Sequence, residues 1–375
     1  MPSKSGPKLV IVESPNKCKK VQKYCGVGYK VVASCGHIRD LVKGIGAIDT
    51  HNNYEPEYSP IPNKRKVIAM LRREAKKASE IILASDLDRE GEAIAYHTAV
   101  ILKLNPATTK RIIFNEISKK AIQKALNNPT VIDMNLFYSQ QGRRVLDRLL
   151  GFKLCPVLWR HIRHGATGGR CQSVALKLIC DREIEINEFT PVPFYETTGT
   201  FQTPEQSLPQ SLEAKLTTKI KSDSTVKKFL EACASPTIFT ISSITSKEGF
   251  ERSPPPFKTS TLQQQASSRL GMNSKRCMSV AQSLFQKGKI SYHRTDCENL
   301  SGDVHKEVQK RVKAMFGSQF YKQTFYKTKT KNAQEAHEAI RPVNIAEMSL
   351  GGPATNDEQR LYALIWKRTI ASQMI

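Results

Sequence analysis

The chain is 375 residues long and carries 58 Lys plus Arg against 34 Asp plus Glu, a formal charge of +24 at pH 7. That field attracts polyanions, so nucleic acid is the expected partner, bound more weakly as salt rises, and the length predicts two to four structural units. No apolar run approaches the roughly 18 to 20 residues that span a bilayer, no apolar signal stretch opens the chain, and the nine cysteines form no CxxC pair, so membrane, secretory and zinc-ribbon roles are not expected and reduced intracellular thiols are.

Residues 9–12, Leu9-Val10-Ile11-Val12, form a first apolar run of strand length, followed directly by Glu13-Ser14-Pro15-Asn16-Lys17. Up to about residue 129, β-rich runs at 30–34, 81–84 and 111–114 alternate with helical patterns at 64–78, 92–103 and 119–127, which predicts an α/β unit. Between residues 36 and 62 Gly, Asn, Asp, Tyr and Pro break the pattern, as in an excursion from a sheet. The run Ile81-Ile82-Leu83-Ala84 leads through Ser85 into Asp86-Leu87-Asp88-Arg89-Glu90-Gly91-Glu92. If that segment is extended, Asp86, Asp88 and Glu90 share one face and repel one another unless a cation lies between them. Magnesium suits the position, since it takes hard oxygen ligands, one or two carboxylates from the protein, and water or phosphate for the rest. A lone DxD after a strand is ordinarily a solvated loop. A second acid at a strand end, Glu13, argues for a site.

From residue 133 to 188 the pattern is helical and basic, with Arg143-Arg144-Val145-Leu146-Asp147-Arg148 and Gly169-Arg170-Cys171-Gln172-Ser173. Residues 195–246 are rich in Thr and Ser, with alternation at 237–244, and predict strands of a separate β unit. Pro254-Pro255-Pro256 marks a boundary, after which helical patterns recur at 262–270, 279–286, 304–315 and 357–373. Within this part, Tyr292-His293-Arg294 puts a phenol and a guanidinium on one face of an extended segment. A phenol titrates near 10, so a nucleophilic Tyr292 needs cationic surroundings, which Arg294 could supply. Such a pair is more often a stacking contact. The cluster Asn332-Ala333-Gln334-Glu335-Ala336-His337-Glu338-Ala339-Ile340-Arg341-Pro342 offers His337 as a proton carrier or phosphate donor.

Taken in order, these motifs strongly resemble those of the type IA DNA topoisomerases. Lys8 to Lys17 and Ser85 to Glu92 look like the two Toprim motifs, and the Arg143, Arg170, Pro256-Phe257-Lys258-Thr259, Tyr292 and His337 motifs follow in family order. The resemblance implies a multidomain α/β and α protein. Its parts would be a Toprim α/β domain (1–36 and 61–132), an incomplete helical single-strand-binding domain (37–60 and 133–194), an incomplete β-rich hinge (195–251) and a mainly helical catalytic domain (252–375). It implies that Tyr292 cuts one DNA strand through a 5′-phosphotyrosyl link, with strand passage and religation that relax negative supercoils without ATP. Glu13 would donate a proton to the leaving 3′ oxygen with Lys17 nearby, and Arg294, supported by His337, would hold the scissile phosphate. Mg²⁺ would sit on Glu13, Asp86, Asp88 and Glu90, and Arg143, Arg144, Asp147, Arg170, Gln172 and Ser173 would bind single-stranded DNA.

In that family the chain returns after the catalytic domain to complete the hinge and the strand-binding domain. Residue 375 stands where that return would begin, so either the chain is a fragment of a longer product, or a second, C-terminal polypeptide is the partner that closes the toroid, or the chain is a remnant; DNA, in an intracellular DNA-containing compartment such as cytoplasm or nucleoid, is the expected substrate. Cys171 and Cys297 stand where relatives usually have Val and Ser. Two alternatives remain: a Toprim primase or nuclease, which would have no use for Tyr292, and an inactive DNA-binding remnant.

Overall fold

The computed structural model describes residues 6–202, 211–234, 238–249, 251–326 and 338–375. The chain divides into two compact units, Met1–Thr167 with Glu251–Ile375, and Gly168–Phe250.

The first unit begins with β1 (Lys8–Val12), α1 (Pro15–Cys25) and β2 (Tyr29–Ala33). The excursion expected between residues 36 and 62 consists of two short antiparallel ladders, β3 (Arg39–Leu41) with β6 (Tyr58–Pro60), and β4 (Ile48–Asp49) with β5 (Glu55–Pro56). Then come α2 (Arg65–Lys77), β7 (Ile81–Ala84), α3 (Arg89–Ile101), β8 (Lys110–Arg111) and α4 (Lys119–Asn127). Strands β2, β1, β7 and β8 lie in that order, all parallel. Both faces of this sheet are covered, which explains why β1 reads as an unbroken apolar run. Its alternate residues divide between two cores: Val10 and Val12 join one, Leu9 and Ile11 the other. Each such side chain, fully buried, contributes about 1.5–3 kcal/mol.

Helix α1 was not anticipated, although its start is legible: the Ser14 hydroxyl accepts from the Asn16 amide and Pro15 occupies the first turn. The 28-residue α5 (Met134–His161) follows the sheet and packs on α3, with Phe137 stacked on Tyr96 at 3.7 Å between ring centroids.

In the second unit, α6 (Arg170–Glu188) precedes an antiparallel pair, β9 (Thr198–Gln202) with β10 (Ser211–Lys215), and α7 (Asp223–Ala234). The strands expected in 195–246 are present as β9 and β10, and α7 lies among them as a helix that the pattern did not predict. The alternating stretch at 237–244 is no strand: residues 238–249 carry no regular structure, and Ile238 and Ile244 are 93% and 86% exposed. Alternation alone makes no strand without a neighbour to pair with. Residue 237 lies outside the described residues.

The chain then returns to the first unit with α8 (Thr259–Leu270), α9 (Ser274–Gln286), α10 (Gly302–Met315) and α11 (Asn356–Ala371), the four helices expected there. Their apolar faces join Val10, Ile82 and Phe114 of the sheet region in one core that also holds Phe285, Ile290 and Tyr292. The acid-bearing sheet and the tyrosine segment are therefore packed as one body.

Candidate active site

The in-register parallel pairing of β1 with β7, Val12 opposite Ala84, ends both strands at the same edge. Glu13 and the Ser85-Asp86 pair thereby leave the sheet side by side. Burial, then the carboxylate of Asp86 and, more weakly, that of Asp88, push the Glu13 carboxyl above its ordinary value, while Lys17 opposes them. Lys17, third residue of α1 and 1% exposed, makes an ion pair with Asp86 and lies over the Phe285 ring, 4.9 Å from its centroid.

Asp88 keeps an extended backbone but lies beyond the end of β7, at the start of α3. It caps α3, its side chain accepting from the Gly91 amide at 2.8 Å, and Gly91 is required there because a Cβ would lie 2.1 Å from the Asp86 carbonyl oxygen. The other carboxylate oxygen of Asp88 accepts a hydrogen bond from the Tyr292 hydroxyl at 2.5 Å, and the Arg294 guanidinium stands 3.6 Å from it. Tyr292 is 3% exposed. Burial, with Asp88 and Asp86 nearby, pushes its phenol far above its usual range, and Arg294 only partly offsets this. The expected cationic activation is thus outweighed, and the proton of Tyr292 rests against a carboxylate. His293, packed on Phe285 and Tyr292, is driven down to about 3 by burial and stays neutral.

Glu90 departs from the expected arrangement. Since α3 begins at Arg89, Glu90 turns away from the line of Asp86 and Asp88: each helical residue rotates the side chain by about 100°. Glu90 is held instead by His37 at 3.2 Å and Gln140 at 3.1 Å, which keep its carboxyl below the usual range. Among the described residues no group of three or more His, Cys, Asp or Glu could hold a metal ion, so the set Glu13, Asp86, Asp88 and Glu90 is not assembled. What does fit magnesium is narrower: adjacent hard-oxygen carboxylates, Asp86 and Asp88, whose mutual crowding with Glu13 a cation would relieve.

Of the residues expected to bind a strand, Arg143, Arg144 and Asp147 line a cavity of about 280 Å³ together with His37, Arg39 and Glu90. Arg144 meets both oxygens of Asp40 at 2.7 Å. Arg170, Gln172 and Ser173 open α6 in the other unit, where the Ser173 hydroxyl accepts from the Gly169 amide. His337 lies outside the described residues.

Sequence reasoning missed Arg111 and Glu92. Fully buried, Arg111 donates to the carbonyls of Ser85 (2.8 Å), Asp86 (2.7 Å) and Ile112 (2.9 Å), and both its Nε and Nη2 reach Glu92. This pair holds the acidic loop from beneath. Glu92 closes the acid motif and Arg111 begins the apolar run 111–114, but a charge beside an apolar run ordinarily reads as solvated.

Residues 131–375 match a family described as DNA topoisomerase, and residues 8–117 match the Toprim domain. The fold is similar to that of full-length topoisomerase I from Thermotoga maritima, with 37% identity and a TM-score of 0.81; the match covers 98% of this chain and 61% of that one. The chain thus spans about three-fifths of the length of that relative. Among the described residues no helix is long and apolar enough to cross a membrane.

Proposed function

Because the chain belongs to the DNA topoisomerases of type IA, we propose that it cuts and rejoins one strand of DNA through Tyr292. The observation that carries this reading is the hydrogen bond from the Tyr292 hydroxyl to Asp88, which joins the tyrosine segment to the Toprim acids across 204 residues of sequence. A Toprim primase or nuclease would have no use for that contact.

In the cleavage step the Tyr292 oxygen attacks phosphorus, its proton passing to Asp88, and the bond from phosphorus to the 3′ oxygen breaks. Glu13, whose carboxyl holds its proton more tightly than usual, supplies that proton to the departing 3′ oxygen. Arg294, half exposed beside Asp88, is placed to hold the phosphate. The product is a 5′-phosphotyrosyl link, and the same groups acting in reverse reseal the strand without ATP. Toprim domains generally bind magnesium. Here Asp86 and Asp88 would hold it, and when bound it supplies positive charge at the phosphate. Arg143, Arg144 and Asp147 would carry single-stranded DNA toward the cut. We infer strand passage and relaxation of negative supercoils as the outcome that this chemistry would serve.

The test is direct. The chain is incubated with a single-stranded oligonucleotide labelled at its 3′ end and Mg²⁺, denatured, and the protein band examined for label. Label on the parent and none on a Tyr292→Phe variant is expected. An unlabelled parent band would refute the reading.

A further inference from the structure

Within the described part of the cluster at residues 332–342, Glu338 and Arg341 make a connected set of contacts. Arg341 is 4% exposed. Its guanidinium meets Glu116 at 2.7 Å and Glu338 at 2.5 and 3.0 Å, and donates to the Pro342 carbonyl at 3.1 Å. Glu338 in turn accepts from the Asn115 side chain at 2.9 Å and the Ser301 amide at 3.1 Å. Asn115 and Glu116 lie in the Toprim match, whereas Glu338 and Arg341 lie in the topoisomerase match. The network therefore spans the seam between the acid-bearing part and the tyrosine-bearing part.

It also grips the nucleophile strand from both sides. The Tyr292 amide donates to the Asn115 carbonyl at 2.7 Å. One residue earlier, the Ser291 amide donates to the Arg341 carbonyl at 2.9 Å, and the Ser291 hydroxyl accepts from the Arg341 amide at 2.9 Å. Tyr292 is thus held by its own backbone to the residue preceding Glu116, and by its neighbour to the residue that pairs with Glu116. We propose that Arg341, seated between Glu116 and Glu338, is a positioning residue that fixes Tyr292 against Asp88.

The physical case rests on charge balance. One guanidinium serves two carboxylates, so removing it leaves Glu116 and Glu338 in mutual repulsion at the seam. The forked geometry matters as much as the charge, because only an arginine bonds both acids and a carbonyl at once. A cavity of about 460 Å³, lined in part by Glu116, Lys120, Asp303 and Lys306, adjoins the clasp and gives water access to its partners once it parts. Arg341 has no contact with the reacting atoms. Its effect is on where the tyrosine oxygen stands, and misplacement by about an ångström costs on the order of 100-fold in rate.

This inference rests on Tyr292 as nucleophile, so the experiment has one arm that depends on chemistry and one that does not. In the full chain, Arg341→Met and Glu116→Gln are compared with the parent and with Arg341→Lys. Single-turnover adduct formation on the 3′-labelled oligonucleotide should slow by roughly 10- to 100-fold at unchanged half-saturating DNA. Arg341→Lys should recover part of the rate. Independently, hydrogen exchange at the Tyr292 amide should accelerate in both variants while the Val10 amide in the sheet stays protected. Should the parent form no adduct, the nucleophile reading falls and the exchange arm alone decides the clasp. Unchanged exchange at Tyr292 overturns the proposal. So does an equal rise at Val10, which would make Arg341 a general structural support.

Discussion

Replacing Tyr292 by Phe removes one oxygen and tests the site in three ways. The lost hydrogen bond runs from a phenol 3% exposed to a carboxylate, and such charge-assisted bonds contribute about 1.5–3 kcal/mol. Asp88 retains the Gly91 amide at 2.8 Å and Arg294 at 3.6 Å, so the loss belongs at the low end, about 1.5 kcal/mol. For a unit of this size that corresponds to a drop in melting temperature of roughly 2–3 °C near neutral pH. The pH dependence has a definite sign. The folded phenol is pushed far above its ordinary value of 10.0 by burial and by Asp88 and Asp86, so it keeps its proton where the unfolded chain releases it. Its stabilising contribution is complete below about pH 10 and declines above that by up to about 1.4 kcal/mol per pH unit. Phe lacks this slope. The gap between parent and variant should therefore narrow, then close, as denaturation is followed from pH 8 to above 10. Adduct formation should vanish while binding of a single-stranded oligonucleotide persists. A labelled covalent adduct on the Phe variant, or a stability gap that widens above pH 10, would refute the reasoning.

Glu13→Gln should raise the melting temperature at pH 7 in EDTA. The carboxyl is raised above 4.5 by burial first and by Asp86 second, so its favourable protonated form is present below about 4.5 and lost as pH climbs. The gain should disappear under acid conditions, and a lower melting temperature at pH 7 would contradict the crowding of these acids. Arg111→Leu strands Glu92 in the interior without its partner and should cost about 3–5 kcal/mol in urea unfolding, whereas a loss under 1 kcal/mol would show the pair to be dispensable. Asp40→Asn frees the Arg144 fork for phosphate. The slope of log affinity for single-stranded DNA against log salt should steepen by about 0.7, and an unaltered slope would mean that Arg144 stays clear of the backbone.

Much of this molecule is legible in its sequence. Apolar runs of four residues beside amphipathic stretches declare a parallel α/β sheet, because a strand covered on both faces has no polar side to show. The acids at two strand ends and the tyrosine–arginine pair could also be picked out, since their chemistry is carried by residue type and local spacing. What spacing could not foretell is where a strand yields to a helix. Asp88 and Glu90 alternate in sequence, but the turn into α3 makes the first a cap that meets Tyr292 and sends the second to His37 and Gln140. The alternation at 237–244 misled for the matching reason, since pairing is decided by a neighbouring strand and not by the segment itself. Nothing local marks Arg111 or Arg341 as an anchor, and only folding reveals the carboxylates that accept them. Local pattern determines which groups the chain can offer. Their assembly depends on contacts such as Tyr292 with Asp88, separated by 204 residues, whose geometry exists only once the sheet and the helices share a core.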